Sequence, residues 1–183
     1  MGTQQNTTDF LMDKTRKKVL EKARNVRYLL LDVDGVMTNG FLFFDEEGRE
    51  IKAFSIYDGL GITLLHKYHV GVGIISGRTS VNVIKRAKDL KIRDLYQGIG
   101  DKIVAYEEIL NKYQLVDEDI AFIGDDLIDL PVLRRVGFSV AVANAVDRVK
   151  KEVDWVTKRS GGEGAVREVI DLILSSQGIE AYA

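Results

Sequence analysis

No cysteine occurs among the 183 residues, which excludes disulfides, thiolate metal sites and a cysteine nucleophile. Also missing is an apolar run approaching the roughly 20 residues of a membrane-spanning helix. There is no internal repeat and no low-complexity linker. Charge of one sign is lacking too: 26 Lys and Arg face 28 Asp and Glu, a net charge of -2. That balance gives no global pull toward nucleic acid or an anionic membrane. The opening MGTQQNTTDF is polar and lacks the apolar core of a secretory signal, so the expected location is the cytoplasm. Acylation of Gly2 is rejected because position 6, where the pattern wants Ser or Thr, is Asn6. What is present is an ordinary globular composition, 45% hydrophobic and 30% charged. It is long enough for one domain with a sizeable core and short for two.

Residues 1–24 read as a polar extension and a lead-in helix over Phe10–Ala23, residues 25–177 as the domain, and 178–183 as a tail. The body alternates. Apolar runs at Val26–Leu31, Val70–Ile75, Ile120–Ile123 and Phe138–Val142, with a short fifth at Trp155–Val156, read as buried strands. Helical patterns fill the gaps: Gly59–Tyr68, Ser80–Leu90, Lys102–Tyr113, Asp126–Val136, Ala145–Lys151 and Gly164–Ser176. Such alternation predicts an α/β, Rossmann-like parallel sheet with helices on both faces. One segment breaks the rhythm. Gly40–Phe44 and Glu50–Ile56 are strand-like around the turn Asp45-Glu46-Glu47-Gly48, a β-hairpin inserted after the first strand. Its arms are so apolar that the hairpin is expected to pack against the body or another subunit.

Four short stretches carry chemistry. In LLLDVDGVMTNG, Asp32 and Asp34 end a strand with their side chains on one side, where ligands bind in open α/β sheets. Two adjacent carboxylates require a proton or a cation between them; solvated loop acids and a structural calcium loop are the plainer alternatives. In GDDLIDL, Asp125 and Asp126 stand at another strand end, with Asp129 one helical turn on. These hard oxygen ligands suit Mg2+, although helix capping also explains them, Asp129 in particular. In IISGRTS, Ser76 ends a strand, Gly77 lets the backbone approach a ligand, and the next helix opens toward the same region. Lys102 starts a helix, against the helix dipole, which makes sense if its ammonium reaches a phosphate oxygen and the nucleophile; a solvated lysine is the alternative. His66 and His69 read as structural or surface residues.

Taken in this order, Asp-x-Asp-Gly, Ser-Gly-Arg, a lysine and Gly-Asp-Asp-x-x-Asp resemble the haloacid dehalogenase superfamily of phosphatases, over roughly Leu29 to Leu174. The resemblance implies that Asp32 is the nucleophile forming an aspartyl phosphate. It makes Asp34 the general acid and then the base for water. Magnesium would be held by the Asp32 carboxylate, the Asp34 backbone carbonyl and Asp125. Asp126 would support the shell through water, and Asp129 would orient Lys102 or that shell. Ser76 and Lys102 would bind phosphoryl oxygens.

Superfamily members usually carry a cap domain, and here only a hairpin follows the first motif and only a helix follows Ser76. Capless members with YDGLG after the hairpin, QGIGDK in the middle and GGEGAVREV near the end resemble 3-deoxy-D-manno-octulosonate 8-phosphate phosphatases of lipopolysaccharide precursor biosynthesis. That family implies a homotetramer built through hairpins such as 40–56. It also implies substrate contacts from Asp58, Gly59, Gly77, Arg78, Arg86 and Arg159. Relatives acting on the nine-carbon sugar acid carry glutamate at the Arg78 position, so Arg78 favours the eight-carbon substrate. The segment 158–164 reads either as a mobile surface turn or as a basic gate. Tyr57 departs from the family, which often has arginine there. Two rival readings are a phosphatase for 2-keto-3-deoxynononate 9-phosphate or another small sugar phosphate, and a non-catalytic assembly module related to sugar-acid cytidylyltransferases.

Overall fold

The structure is a computed structural model and describes residues 16–180. The first part of the expected lead-in helix, residues 10–15, lies outside the described residues, as do 181–183. Helix α1 occupies 16–25. Six parallel strands form one sheet in the order β5-β4-β1-β6-β7-β8: β1 (Tyr28–Leu31), β4 (Gly71–Ile75), β5 (Asp94–Tyr96), β6 (Ile120–Gly124), β7 (Phe138–Ala141) and β8 (Trp155–Val156). The three central strands are apolar because both of their faces are covered; Leu29, Leu30, Leu31, Ile74 and Phe122 are fully buried. Leu31 pairs with Ile74 on one side and Ile123 on the other. That flush register brings Asp32, Ser76 and Asp125 together at the carboxyl ends of the central strands.

The covering helices are α2 (Ile56–Lys67), α3 (Val81–Asp89), α4 (Lys102–Tyr113), α5 (Leu130–Leu133), α6 (Asp147–Lys150) and α7 (Ala165–Ser176). Helix α7 shows why they dock: Val166, Val169, Ile170 and Ile173 are buried at helical spacing. Helix α1 joins the same core through Val19 and Ala23. Gln177 ties the far end of the domain to it by donating to the Val26 carbonyl at 2.8 Å. Beyond that point Ile179 still packs against the core.

Three elements differ from expectation. Strand β5 has no apolar run to announce it: it is a three-residue edge strand whose buried Asp94 accepts from Tyr28 and Tyr113 hydroxyls and from Lys112, each at 2.6 Å. The hairpin ladder is short, pairing β2 (Phe43–Phe44) with β3 (Glu50–Ile51). Its expected second arm ends early because Ser55 caps α2, its side chain accepting from the Asp58 amide. The expected helix over Asp126–Val136 is a 3-10 turn, Leu127–Asp129, followed by the single turn of α5. Pro131 stands at its start, where a missing amide donor interrupts the i to i−4 ladder. Among the described residues there is no cap domain: β1 leads only to the hairpin, and β4 only to α3.

Candidate active site

Asp32 follows β1 directly, and its amide donates to the Ile123 carbonyl at 3.1 Å. Its carboxylate is paired with the ammonium of Lys102, the first residue of α4. Lys102 is 1% exposed and also donates to Asp129 Oδ1 at 2.6 Å. The other oxygen of Asp129 accepts the Asp125 amide at 2.9 Å and the Asp126 amide at 3.2 Å. Asp32, Asp125 and Asp129 each bring a carboxylate oxygen within 4.8 Å of the others. Lys102 is thus a lysine at a helix start because two buried carboxylates hold it there. Asp101 serves the helix instead, accepting the Ile103 amide at 3.1 Å.

Three carboxylates around one ammonium leave an excess of negative charge out of water. Burial pushes the Asp32 carboxyl up to about 6, with Lys102 pulling it down and Asp129 up. Asp125 is pushed further, to about 8, by burial and then by the charges of Asp32, Asp129 and Asp126. Burial alone lowers the Lys102 ammonium, but the two carboxylates outweigh it and hold the lysine above its usual value. The donor set is all oxygen and its charge is uncompensated, so these residues fit a hard divalent cation. Gly35 makes the space: a Cβ there would stand 2.0 Å from Asp125 Oδ2.

Comparison with known proteins settles the family. The model of haloacid dehalogenase-like hydrolases matches residues 91–170. The 3-deoxy-D-manno-octulosonate 8-phosphate phosphatase of Yersinia pestis is 48% identical over 159 residues, 87% of this chain and 85% of the relative. A putative hydrolase of that superfamily from Legionella pneumophila superposes with a TM-score of 0.91 at 42% identity, covering 92% of this chain and 93% of that one. The phosphatase of Moraxella catarrhalis, solved with a magnesium ion, a phosphate ion and a 3-deoxy-D-manno-octulosonate (KDO) molecule, is similar at a TM-score of 0.85 and 39% identity, over 87% and 92% of the two chains. This chain belongs to the 3-deoxy-D-manno-octulosonate 8-phosphate phosphatase family.

The family's other motif residues are distributed as follows. Ser76 is buried at the end of β4; its hydroxyl accepts the Arg78 amide at 3.3 Å, and its own amide donates to the Tyr96 carbonyl at 2.9 Å. Gly77 has only ordinary contacts around a notional Cβ, so no protein neighbour demands a glycine there. Asp126 lies outside the carboxylate trio. It is exposed and caps the 3-10 turn, accepting the Leu127 amide at 2.7 Å. Asp129 is the third member of the trio. Arg78 is half exposed and donates to Glu50 Oε1 at 2.7 Å. A second group surrounds the start of α2. Asp58 accepts the Arg167 amide at 2.8 Å, tying α2 to α7, and burial raises its carboxyl against the pull of Arg159 and Arg86. Gly59 leaves room for Arg86, whose guanidinium would stand 2.5 Å from a Cβ. Tyr57 is exposed, and His66 shares a 3.0 Å hydrogen bond with the Leu90 carbonyl.

The segment 158–164 is tied down. The Lys158 and Arg159 amides donate to Glu168 at 3.0 Å, and Gly161 packs so tightly that a Cβ would sit 1.7 Å from the Gly35 carbonyl oxygen. Asn144 bridges the two loops, donating to the Gly35 oxygen at 3.2 Å and accepting the Gly161 amide at 2.7 Å. One site residue escaped the sequence reading. Lys52, on the hairpin's second arm, is ion-paired with Asp34 while its side chain is only 2% exposed. The available signal was an inward-facing lysine between Ile51 and Ala53 on an apolar arm. A separate cavity of about 720 Å³, lined by Arg27, Tyr28, His69 and Lys91, shares no residue with the carboxylate cluster.

Proposed function

We propose that this chain hydrolyses 3-deoxy-D-manno-octulosonate 8-phosphate to the free sugar acid and inorganic phosphate, by way of a phosphoryl group carried on Asp32. The observation that carries this reading is the buried Lys102 ammonium held between Asp32 and Asp129 beside Asp125. It pre-places positive charge next to the carboxylate best positioned to attack, where phosphoryl transfer needs it.

Asp32 attacks phosphorus, and the bond from phosphorus to the sugar oxygen breaks. Asp34 delivers its proton to that oxygen, then takes a proton from the water that attacks the aspartyl phosphate. Lys102 and Ser76 bind phosphoryl oxygens, and Lys102 also fixes the rotamer of Asp32. Asp32 and Asp125, with the backbone of Asp34, would hold magnesium, Asp126 contributing through water and Asp129 by orienting Lys102. When bound, the ion supplies positive charge against the carboxylates and the phosphoryl oxygens.

Substrate contacts come from Gly77, Arg78 and the group Asp58, Gly59, Arg86 and Arg159. Asp58 Oδ2 and Arg86 Nε are buried without a hydrogen-bond partner, so this group has polar capacity to spare. The hairpin supports a homotetramer: Phe41 and Phe44 are 69% and 59% exposed, an apolar load that a lone subunit leaves in water. Cytoplasmic residence belongs to the same reading; no described helix is long and apolar enough to cross a membrane.

Phosphate release with magnesium, measured on the eight-carbon and nine-carbon sugar-acid phosphates and on an aryl phosphate, tests the assignment. The eight-carbon substrate is expected to have the highest kcat/KM. Preference for the nine-carbon substrate overturns the substrate, and no release from any of the three overturns the enzyme.

A further inference from the structure

The hairpin sends two charged side chains inward. Glu50 and Lys52 are two residues apart on an extended arm and so share a face, while Ile51 between them is 52% exposed. The Lys52 ammonium meets Asp34 and lies 3.3 Å from Glu50. Glu50 is anchored in turn: its carboxylate takes Arg78 at 2.7 Å, and its carbonyl accepts Asn82 Nδ2 at 2.8 Å. The arm is therefore fixed to the start of α3, and Lys52 is fixed with it. Burying a lysine side chain this fully is costly without charged partners, so the position is a built one.

We propose that Lys52 is a positioning residue for Asp34, holding one carboxylate oxygen so that the other is turned to the leaving oxygen of the substrate; this rests on the phosphatase mechanism above. An ammonium has three donors and no acceptor. Its hydrogen bond to Asp34 Oδ1 ties that oxygen to the hairpin and so sets the carboxylate's rotamer, leaving Oδ2 to face the leaving oxygen. Lys52 never contacts the phosphorus in this scheme. It makes the hairpin part of the catalytic apparatus: an element that faces outward with Phe43 and Ile51 faces inward with the group that aims the general acid.

Leaving-group dependence reads this directly. A sugar alkoxide needs a proton to depart, and p-nitrophenolate does not. kcat/KM reports only the steps up to departure, so the water half-reaction shared by both substrates drops out. Lys52→Met, Lys52→Arg and Asp34→Asn are compared with the parent chain on the sugar-acid phosphate and on p-nitrophenyl phosphate. Lys52→Met should lose roughly 10- to 100-fold on the sugar phosphate, a fraction of the range for general acid catalysis, and less than about threefold on the aryl phosphate. Lys52→Arg should recover part of the loss. Because the chain has no cysteine, Lys52→Cys alkylated with 2-bromoethylamine while unfolded, then refolded, returns an ammonium at this position alone; it should restore the sugar-phosphate rate over the unalkylated form, independently of whether Lys52→Met folds. Equal loss on both substrates, no loss on either, or no recovery on alkylation of a refolded protein overturns the proposal. If Asp34→Asn itself does not discriminate between the substrates, the general-acid reading falls first, and the part of Lys52 falls with it.

Discussion

Asp129 satisfies three donors at once, the Lys102 ammonium at 2.6 Å and the amides of Asp125 and Asp126 at 2.9 and 3.2 Å. It is fully buried, so removing it takes one of the two carboxylates from the buried Lys102 ammonium and leaves two amides without this acceptor. Breaking a buried pair by deleting one partner costs about 3–5 kcal/mol, which in a domain of this size lowers Tm by about 6–20 °C. Asp129→Ala should show that drop by calorimetry and should lose activity as well; a melt within about 2 °C of the parent contradicts it. Asp32→Asn should behave oppositely. Asparagine keeps the shape and one oxygen for Lys102 but is no nucleophile, so Tm should stay within a few degrees while phosphate release falls at least about a thousandfold. Substantial turnover by the folded Asp32→Asn protein removes Asp32 from its role.

At the scale of elements, the strand ends that carry Asp32, Ser76 and Asp125 were legible and the hairpin's inner face was not. Strands β1, β4, β6 and β7 announce themselves because burial on both faces makes them continuous apolar runs. Their polar last neighbours, Asp32, Ser76 and Asp125, then stand out. Strand β5 stayed hidden because an edge strand held by a polar network around Asp94 carries no such run. The 3-10 turn at Leu127–Asp129 was also out of reach, since the pattern over Asp126–Val136 reads as one α-helix although Pro131 lies within it. Lys52 stayed hidden for a different reason, since the two-residue alternation that turns it inward competes with the general rule that lysines are solvated. The same hairpin supplies a prediction. Phe43 and Ile51 face each other across the ladder and are both about half exposed. Phe43→Asp with Ile51→Lys should therefore shift the mass seen by light scattering from four chains toward fewer. A monomer already in the parent protein at micromolar concentration removes the assembly argument.

For the whole molecule, the carboxylate cluster makes stability depend on a cation. The carboxyl groups of Asp32, Asp125 and Asp129 sit within 4.8 Å of one another, and the Lys102 ammonium among them is shared between Asp32 and Asp129. The folded state alone gathers these ligands, so an ion that binds them stabilises it by mass action, about 2.7 kcal/mol at a hundredfold excess over Kd. That corresponds to a rise in Tm of about 5–11 °C. Asp125 is the sensitive member, because burial and three neighbouring acids oppose its charge. Asp125→Asn replaces the carboxyl by a neutral group at nearly constant volume. Without magnesium near neutral pH the variant should melt at or above the parent, since asparagine is neutral at no cost, whereas a folded Asp125 raised to about 8 must take up a proton that the unfolded chain does not bind. With magnesium the order should reverse: the parent rises and the variant does not. Calorimetry of both proteins, each after chelation and after magnesium addition, reads the crossing without any assay of turnover. Parallel shifts in the two proteins would place the cation elsewhere, and a parent that melts at the same temperature with and without magnesium would leave the cluster to be explained by Lys102 alone.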